Sequence, residues 1–334
     1  MIITVGDLHL SYHQPKGDQV KEFLRWLFLF ESPYNTLENY LVLLGDLVEA
    51  LDDPSELLEV YIDLFLNQSK FKHIFIMKGN HDENMSSAFT SALRPLKNVT
   101  IIESIQEMSL EGLEFLFLPH YDHTKHKLPP MTEYYSSKEV QERFNKKYDY
   151  VFHHVEDEQN HFSKKYCDLS WIKTSNWLCG HIHMENVTKG GRILGAPIFN
   201  SITEKNKTPY IASIDPNTKK YTLIEVPKFL SYYEVDYPND IEKPKTKYGL
   251  WKVKESLNKE ETLKYYTKQA EEKGFTFYPL AIFSKKAKRE LVEGENKTEI
   301  RKSNEELFKQ YQQDNKVEQE VADICLDIFR KKEE

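Results

Sequence analysis

Mostly apolar residues fall along the chain in short runs. Each run is released into a glycine and then into residues with oxygen or imidazole side chains. Ile2 to Val5 leads into Gly6-Asp7-Leu8-His9, and Leu41 to Leu44 into Gly45-Asp46-Leu47-Val48-Glu49. His73 to Met77 leads into Lys78-Gly79-Asn80-His81-Asp82, and Trp177 to Cys179 into Gly180-His181-Ile182-His183. Runs of this length read as buried strands. Between them the period changes. Val20, Phe23, Leu24 and Leu27 recur at helical spacing over Asp18 to Phe30, and Leu57, Leu58, Tyr61 and Leu64 do so over a helix opened by Pro54-Ser55 and reaching about Asn67. Strands alternating with helices predict βαβ units with right-handed crossovers. In such sheets ligands bind at the C-terminal ends of the strands, where these polar turns fall.

The middle of the chain continues the pattern. Val99 to Glu103, Glu107 to Leu110 and Leu113 to Leu118 read as strands, the last ending at Pro119-His120-Tyr121. Ser137 to Lys147 is polar and helical, and Tyr148 to Phe152 is a strand ending in His153-His154. Gly190-Gly191 and Asp215-Pro216-Asn217 separate short runs and predict two hairpins. These antiparallel strands are expected to complete a second sheet.

Near Pro227 the composition changes. Tyr232 to Lys247 is rich in proline, aspartate and lysine and reads as a connector. A small unit follows: a strand over Leu250 to Val253, a helix capped by Asn258 with Glu261 behind it, and a strand over Phe275 to Phe283 that contains Pro279 and so reads as an edge. Leu263, Tyr266 and Ala270 line one face of that helix, and Gly274 ends it. Beyond it lie a charged stretch with Lys285, Lys286, Lys288 and Arg289, a capping box at Ser303 and Glu306, and an apolar stripe of Leu307, Tyr311, Val321, Ile324 and Ile328. The predicted organisation is a main domain over 1–230, a connector over 231–247, a small α/β capping unit over 248–284, and a charged linker with an amphipathic helix over 285–334.

Charge and cysteine content narrow the classes. The net charge of −8 argues against coating nucleic acid by bulk charge, while leaving room for an enzyme that holds phosphates locally. Cys167, Cys179 and Cys325 are widely spaced, which predicts no disulfide framework and fits a reducing cytoplasm, or a host cytoplasm for a phage-encoded chain. No apolar run is long enough to span a membrane, and Met1 runs straight into a strand, so no signal peptide is expected.

The chemistry of the polar turns points to metal. Mixed carboxylate and imidazole ligands suit manganese, iron, zinc and similar ions. A pair of such ions can clamp the attacking and leaving oxygens of a displacement at phosphorus. Asp46 is the natural carboxylate to bridge them. His120, His123 and His126 also lie close in sequence, but nothing makes them converge. They read as a solvated loop, with His120 as a candidate substrate contact.

Asp7-x-His9, Gly45-Asp46, Gly79-Asn80-His81-Asp82 and Gly180-His181-x-His183 together resemble the signature of the calcineurin-like metallophosphoesterases, over roughly the first two-thirds of the chain. The resemblance implies a four-layer α/β/β/α sandwich and two divalent ions, Mn2+ by preference. It implies one ion on Asp7, His9, Asp46 and His183, and a second on Asp46, Asn80, His153 and His181. The family has a lone histidine at the end of a strand. His153 is assigned to that place, and a one-residue slip would select His154. His81 resembles the family's catalytic histidine, acting on the leaving oxygen with Asp82 as an orienting partner.

Within the superfamily, several segments resemble the SbcD-type subunits of double-strand-break repair nucleases, including phage recombination endonuclease subunits. Leu118-Pro119 followed by Tyr121 is one. Leu194-Gly195-Ala196-Pro197, with Ser201 and Glu204 after it, is another. The small C-terminal unit and helical tail also match. Val48-Glu49 departs from the aromatic residue and aspartate often found there. This resemblance implies a DNA exo- or endonuclease subunit whose tail docks on an SbcC-type ABC ATPase. The alternative is a small-substrate phosphodiesterase or phosphatase, with the C-terminal third as a cap or a homodimer contact. An idle binding subunit fits poorly, because buried charges without a compensating cation are costly.

Overall fold

Strands β1 (Ile2–Val5), β2 (Tyr40–Leu43), β3 (His73–Met77) and β4 (Val99–Ile102) lie side by side in parallel, so their polar turns emerge along one edge. The computed structural model describes residues 1–10, 16–30, 34–48, 69–83, 93–121, 128–156, 166–174, 176–188, 191–199, 204, 207–256 and 258–284. The helix expected from Pro54, His123, His126, Cys325, and the tail's capping box and apolar stripe lie outside these residues. The chain divides into two compact units, Met1–Ile282 and Phe283–Glu334.

The first sheet has six strands in the order β14-β13-β1-β2-β3-β4, where β13 is Tyr210–Asp215 and β14 is Lys220–Glu225. The second also has six, in the order β11-β12-β10-β8-β6-β5. Its members are β5 (Gln106–Leu110), β6 (Leu113–Leu118), β8 (Tyr150–His153), β10 (Trp177–Cys179), β11 (Asn186–Thr188) and β12 (Gly191–Ile193). A short pair, β7 (Lys147–Tyr148) and β9 (Lys173–Thr174), stands apart from both.

Side-chain alternation explains the packing. Ile2, Val42, Phe75 and Met77 from the first sheet share one apolar cluster with Phe115, Phe117, Tyr150 and Phe152 from the second. The opposite face of the first sheet, with Ile3, Val5, Leu41, Leu43, Ile74 and Ile76, packs on Val20, Phe23 and Leu24 of α1 (Lys16–Arg25). The opposite face of the second, with Leu116, Leu118 and Val151, packs on Val140 of α2 (Lys138–Arg143) and on Phe144 behind it. Ser137 caps α2, its side chain accepting from the Val140 amide. This is the mixed α/β architecture the sequence predicts.

Two expectations about the strands need correction. The β13–β14 hairpin joins the first sheet, with β13 antiparallel to β1, and does not complete the second. The reason is burial on both faces: Ile211 faces one cluster while Ala212 and Ile214 face the other. The β11–β12 hairpin supplies the edge of the second sheet. The expected connector begins as a strand, β15 (Leu230–Asp236), paired in parallel with β16 (Tyr248–Ser256). Leu230 and Tyr232 face one cluster and Tyr233 and Val235 another, a period of two that the polar composition hid.

In the small unit, β17 (Tyr278–Ser284) is an edge strand, as Pro279 predicts. Asn258 caps α3 (Lys259–Glu272), whose buried face is Thr262, Tyr266 and Ala270. Leu263, expected on that face, is exposed. Among the described residues, no helix is long and apolar enough to cross a membrane.

Candidate metal centre

The turns that follow β1, β2 and β3 meet those that follow β8 and β10 from the other sheet. Backbone hydrogen bonds tie the first two turns together: the His9 amide donates to the Asp46 carbonyl at 2.9 Å and Leu10 to Leu47 at 2.8 Å. The third turn is tied to the second, since the His81 amide donates to Asp46 Oδ1 at 2.8 Å. The fourth is tied to the first, the His181 amide donating to Asp7 Oδ1 at 2.9 Å.

The backbone is strained where these side chains converge. His9, Asp46 and His181 hold positive φ angles of 46°, 45° and 76°. Each such conformation costs about 1–3 kcal/mol in a residue with a Cβ, and clusters of them mark functional sites. Gly45 has a φ of 103°, and a Cβ there would stand 2.4 Å from His154 Nδ1. A Cβ on Gly79 would stand 2.2 Å from the Asp46 amide nitrogen and from Asp46 Oδ1. These glycines let the turns close on the cluster.

Two groups of donors result. One atom each from His9, Asp46 and His81 lie within 4.8 Å of one another, and so do one each from Asp46, His154 and His181. Asp46 belongs to both. Its Oδ2 lies 3.3 Å from His154 Nε2 and 3.7 Å from His9 Nε2. The Asn80 side-chain oxygen lies 3.0 Å from His154 Nε2 and 2.9 Å from His181 Nδ1. His9 Nε2 and His183 Nε2 face each other at 2.9 Å. Two imidazole lone pairs approach this closely only across a proton or a cation. Asp7 Oδ1 lies 3.3 Å from His154 Nδ1, while its Oδ2 is buried and accepts no hydrogen bond among the described residues. Carboxylate, imidazole and amide oxygen are the donor set a divalent-metal pair takes.

The electrostatics favour positive charge here. Burial by itself raises the Asp46 carboxyl, but His154, His9 and His81 outweigh it and hold the group well below the usual carboxylate range. Burial by itself lowers His154, but Asp46 and Asp7 outweigh it and lift the imidazole to about 9. For His181 burial wins, reinforced by His154, and its pKa is lowered.

His154, and not His153, enters the cluster. Tyr150 and Phe152 point into the space shared by the two sheets, so the next residue on that face is His154. Its Nδ1 lies 2.7 Å from the Leu44 carbonyl oxygen and 3.3 Å from Asp7 Oδ1. His153 belongs to the other face with Val151. Its Nδ1 lies 3.2 Å from the Val155 carbonyl, its Nε2 lies 2.7 Å from Cys179 Sγ, and its ring meets Trp177 edge-on.

The remaining expected residues take these places. His81 sits half-buried with its ring 4.7 Å from that of His9. The Asp82 carboxylate accepts from the amides of Leu47 at 2.9 Å, Val48 at 3.2 Å and Gly79 at 2.8 Å, so it ties the second and third turns together. Burial and then Asp46 push Asp82 up to about 7. The His120 amide donates to the Lys78 carbonyl at 2.9 Å, which brings the end of β6 against the third turn. Glu156, not singled out from the sequence, has Oε1 3.6 Å from His181 Nε2. Its sequence signal is slight: an acidic residue shortly after the histidine pair.

The family model for calcineurin-like phosphoesterases matches residues 1–185. No curated protein sequence matches the chain. Among solved structures, a protein of unknown function from Aquifex aeolicus is 20% identical with a TM-score of 0.30, the match spanning 52% of this chain and 87% of that one. A protein described as a novel archaeal phosphodiesterase is 13% identical with a TM-score of 0.35, spanning 67% of this chain and 98% of that one.

Proposed function

Since the chain belongs to the calcineurin-like phosphoesterases, a family of metal-dependent phosphoester hydrolases, we propose that it is a dinuclear-metal phosphodiesterase acting on DNA, as the nuclease subunit of an SbcCD-like recombination and repair complex. The observation that carries the chemistry is Asp46, whose carboxylate belongs to both donor groups. Asp7, His9, Asp46 and His183 would hold one cation, and Asp46, Asn80, His154 and His181 the other. Such a pair, when bound, supplies Lewis-acid charge and an activated water for attack at phosphorus. Mn2+ is the proposed metal.

The other steps fall to side chains. His81 is half-buried with its ring against that of His9, and an imidazole so placed would give a proton to the leaving oxygen. Asp82 keeps the turns bearing Asp46 and His81 in register. The choice of DNA rests on the sequence resemblance around Leu118-Pro119 and Leu194 to Pro197. Val48-Glu49 and the net charge of −8 favour the second reading, a small-substrate phosphodiesterase or phosphatase.

Hydrolysis of bis-(p-nitrophenyl) phosphate and of plasmid DNA, each with Mn2+ and with chelator, tests both levels. Turnover of both substrates, abolished by chelator, is expected. Turnover of the small diester alone refutes the nuclease, and turnover of neither refutes the phosphodiesterase. On the same proposal, the tail stripe docks on an SbcC-type ATPase as an amphipathic helix in a partner's groove. Size-exclusion chromatography with that ATPase, with and without the residues after Lys302, tests the docking. Unchanged co-elution after truncation refutes it.

A further inference from the structure

Glu204 and Lys207 are a buried ion pair, 3% and 5% exposed, beside the fourth turn. Lys207 Nζ donates to Glu204 Oε2 at 2.5 Å and to the main-chain carbonyl of His183 at 3.1 Å. Glu204 Oε1 lies 3.3 Å from His183 Nδ1. Desolvating a pair like this outweighs its attraction unless further hydrogen bonds use the charges. Both of these groups do use them, and both on His183.

His183 is the residue that needs such help. Its side chain is 30% exposed, against 1% for His9, 2% for Asp46, none for Asp7 and His154, and 19% for His181. The others are held by packing; this ring borders solvent. Its Nε2 is nevertheless aimed into the cluster, 2.9 Å from His9 Nε2.

We propose that Glu204 is a positioning residue that fixes the tautomer and orientation of His183, with Lys207 clamping the same residue's backbone. A neutral imidazole carries one ring proton. Placed on Nδ1 and donated to Glu204, that proton leaves the Nε2 lone pair facing the centre. A carboxylate acceptor on the far nitrogen also fixes the orientation of the ring, as such partners of metal-binding histidines do. Lys207 balances the Glu204 charge and pins the His183 carbonyl, so ring and peptide plane are both held. The inference rests on the reading of His183 as a metal ligand given above.

The test uses the full chain and no phosphodiester. Long-range 1H–15N spectra of metal-free protein at about pH 8, where an ordinary imidazole is neutral, report the His183 tautomer. Calorimetric titration with Mn2+ reports affinity. The wild-type protein is expected to show the Nδ1–H form. Glu204→Gln is expected to lose that signature's dominance and to weaken one Mn2+ site about 10- to 100-fold. An Nε2–H form in the wild type overturns the proposal, as does Mn2+ affinity in Glu204→Gln within about twofold of the wild type. Should Glu204→Gln fail to fold because Lys207 has lost its partner, Glu204→Gln/Lys207→Met removes both charges and is read by the same criteria. The wild-type tautomer decides the matter without any variant. A wild-type protein that binds no Mn2+ sinks the metal reading, and the tautomer still tests the Glu204–His183 bond.

Discussion

His154 Nε2 and Asp46 Oδ2 stand 3.3 Å apart, and they come from different sheets. Asp46 follows β2 of the first sheet, and His154 follows β8 of the second. Both side chains are almost wholly buried. The pair therefore joins the two sheets at the point where the polar turns meet. Its partners extend the link: Asp7 Oδ1 lies 3.3 Å from the other nitrogen of His154, and the Leu44 carbonyl 2.7 Å from it.

This relationship separates two adjacent histidines. His154→Ala is expected to lower metal affinity by more than about 100-fold, beyond the usual loss for a residue that only supports a ligand, and to abolish turnover. His153→Ala is expected to keep both metals and to destabilise the fold by about 1–3 kcal/mol, because Cys179 and the Val155 carbonyl lose a buried partner. Elemental analysis and urea melts read the two outcomes. Loss of metal in His153→Ala with His154→Ala unaffected would reverse the assignment.

Asp46→Ala should lower the occupancy of both metal positions and stop hydrolysis, since its carboxylate belongs to both donor groups. His183→Ala should reduce chiefly one, because its Nε2 lies 2.9 Å from that of His9, which belongs to one donor group. Metal-to-protein ratios on purified variants distinguish these patterns. Two bound ions in Asp46→Ala would exclude the bridge.

His81→Ser should retain metal and fold while losing about 10²–10⁴-fold in turnover, the usual contribution of a general acid or base. The structure makes this a sharp test, because a His81 donor atom also lies within 4.8 Å of His9 and Asp46. Metal content falling in step with activity would make His81 a ligand.

Asp82→Ala removes the acceptor for the amides of Leu47, Val48 and Gly79. A stability loss of at least about 1–3 kcal/mol is expected, the cost of leaving one buried amide without its acceptor. The turns bearing Asp46 and His81 would then separate, so metal affinity should fall together with stability. Unfolding midpoints and Mn2+ titration measured on the same samples check this. An unchanged midpoint with turnover alone reduced would return Asp82 to a direct role beside His81.

Much of this was legible in the chain itself. Apolar runs ending in glycine and then in carboxylate or imidazole mark β1, β2, β3 and β10 and their turns, because a buried strand must be apolar and a ligand turn cannot be. The bounds of β3 and β6 follow directly from their runs. Pro279 marks an edge strand, since it has no amide to give the ladder. Other features needed the tertiary structure. Two adjacent histidines after a uniformly apolar strand carry no sign of which face is inner; only the space between the sheets, filled by Tyr150 and Phe152, selects His154. The placement of β13 beside β1 depends on burial of both its faces, which a hairpin pattern does not express. Asp82 ties backbone amides brought together by folding, and Glu204 and Lys207 converge on His183 from 21 and 24 residues away. Local sequence records what a residue can do. Which partner it meets is set by long-range packing, which puts His154 beside Asp46 and His153 beside Cys179.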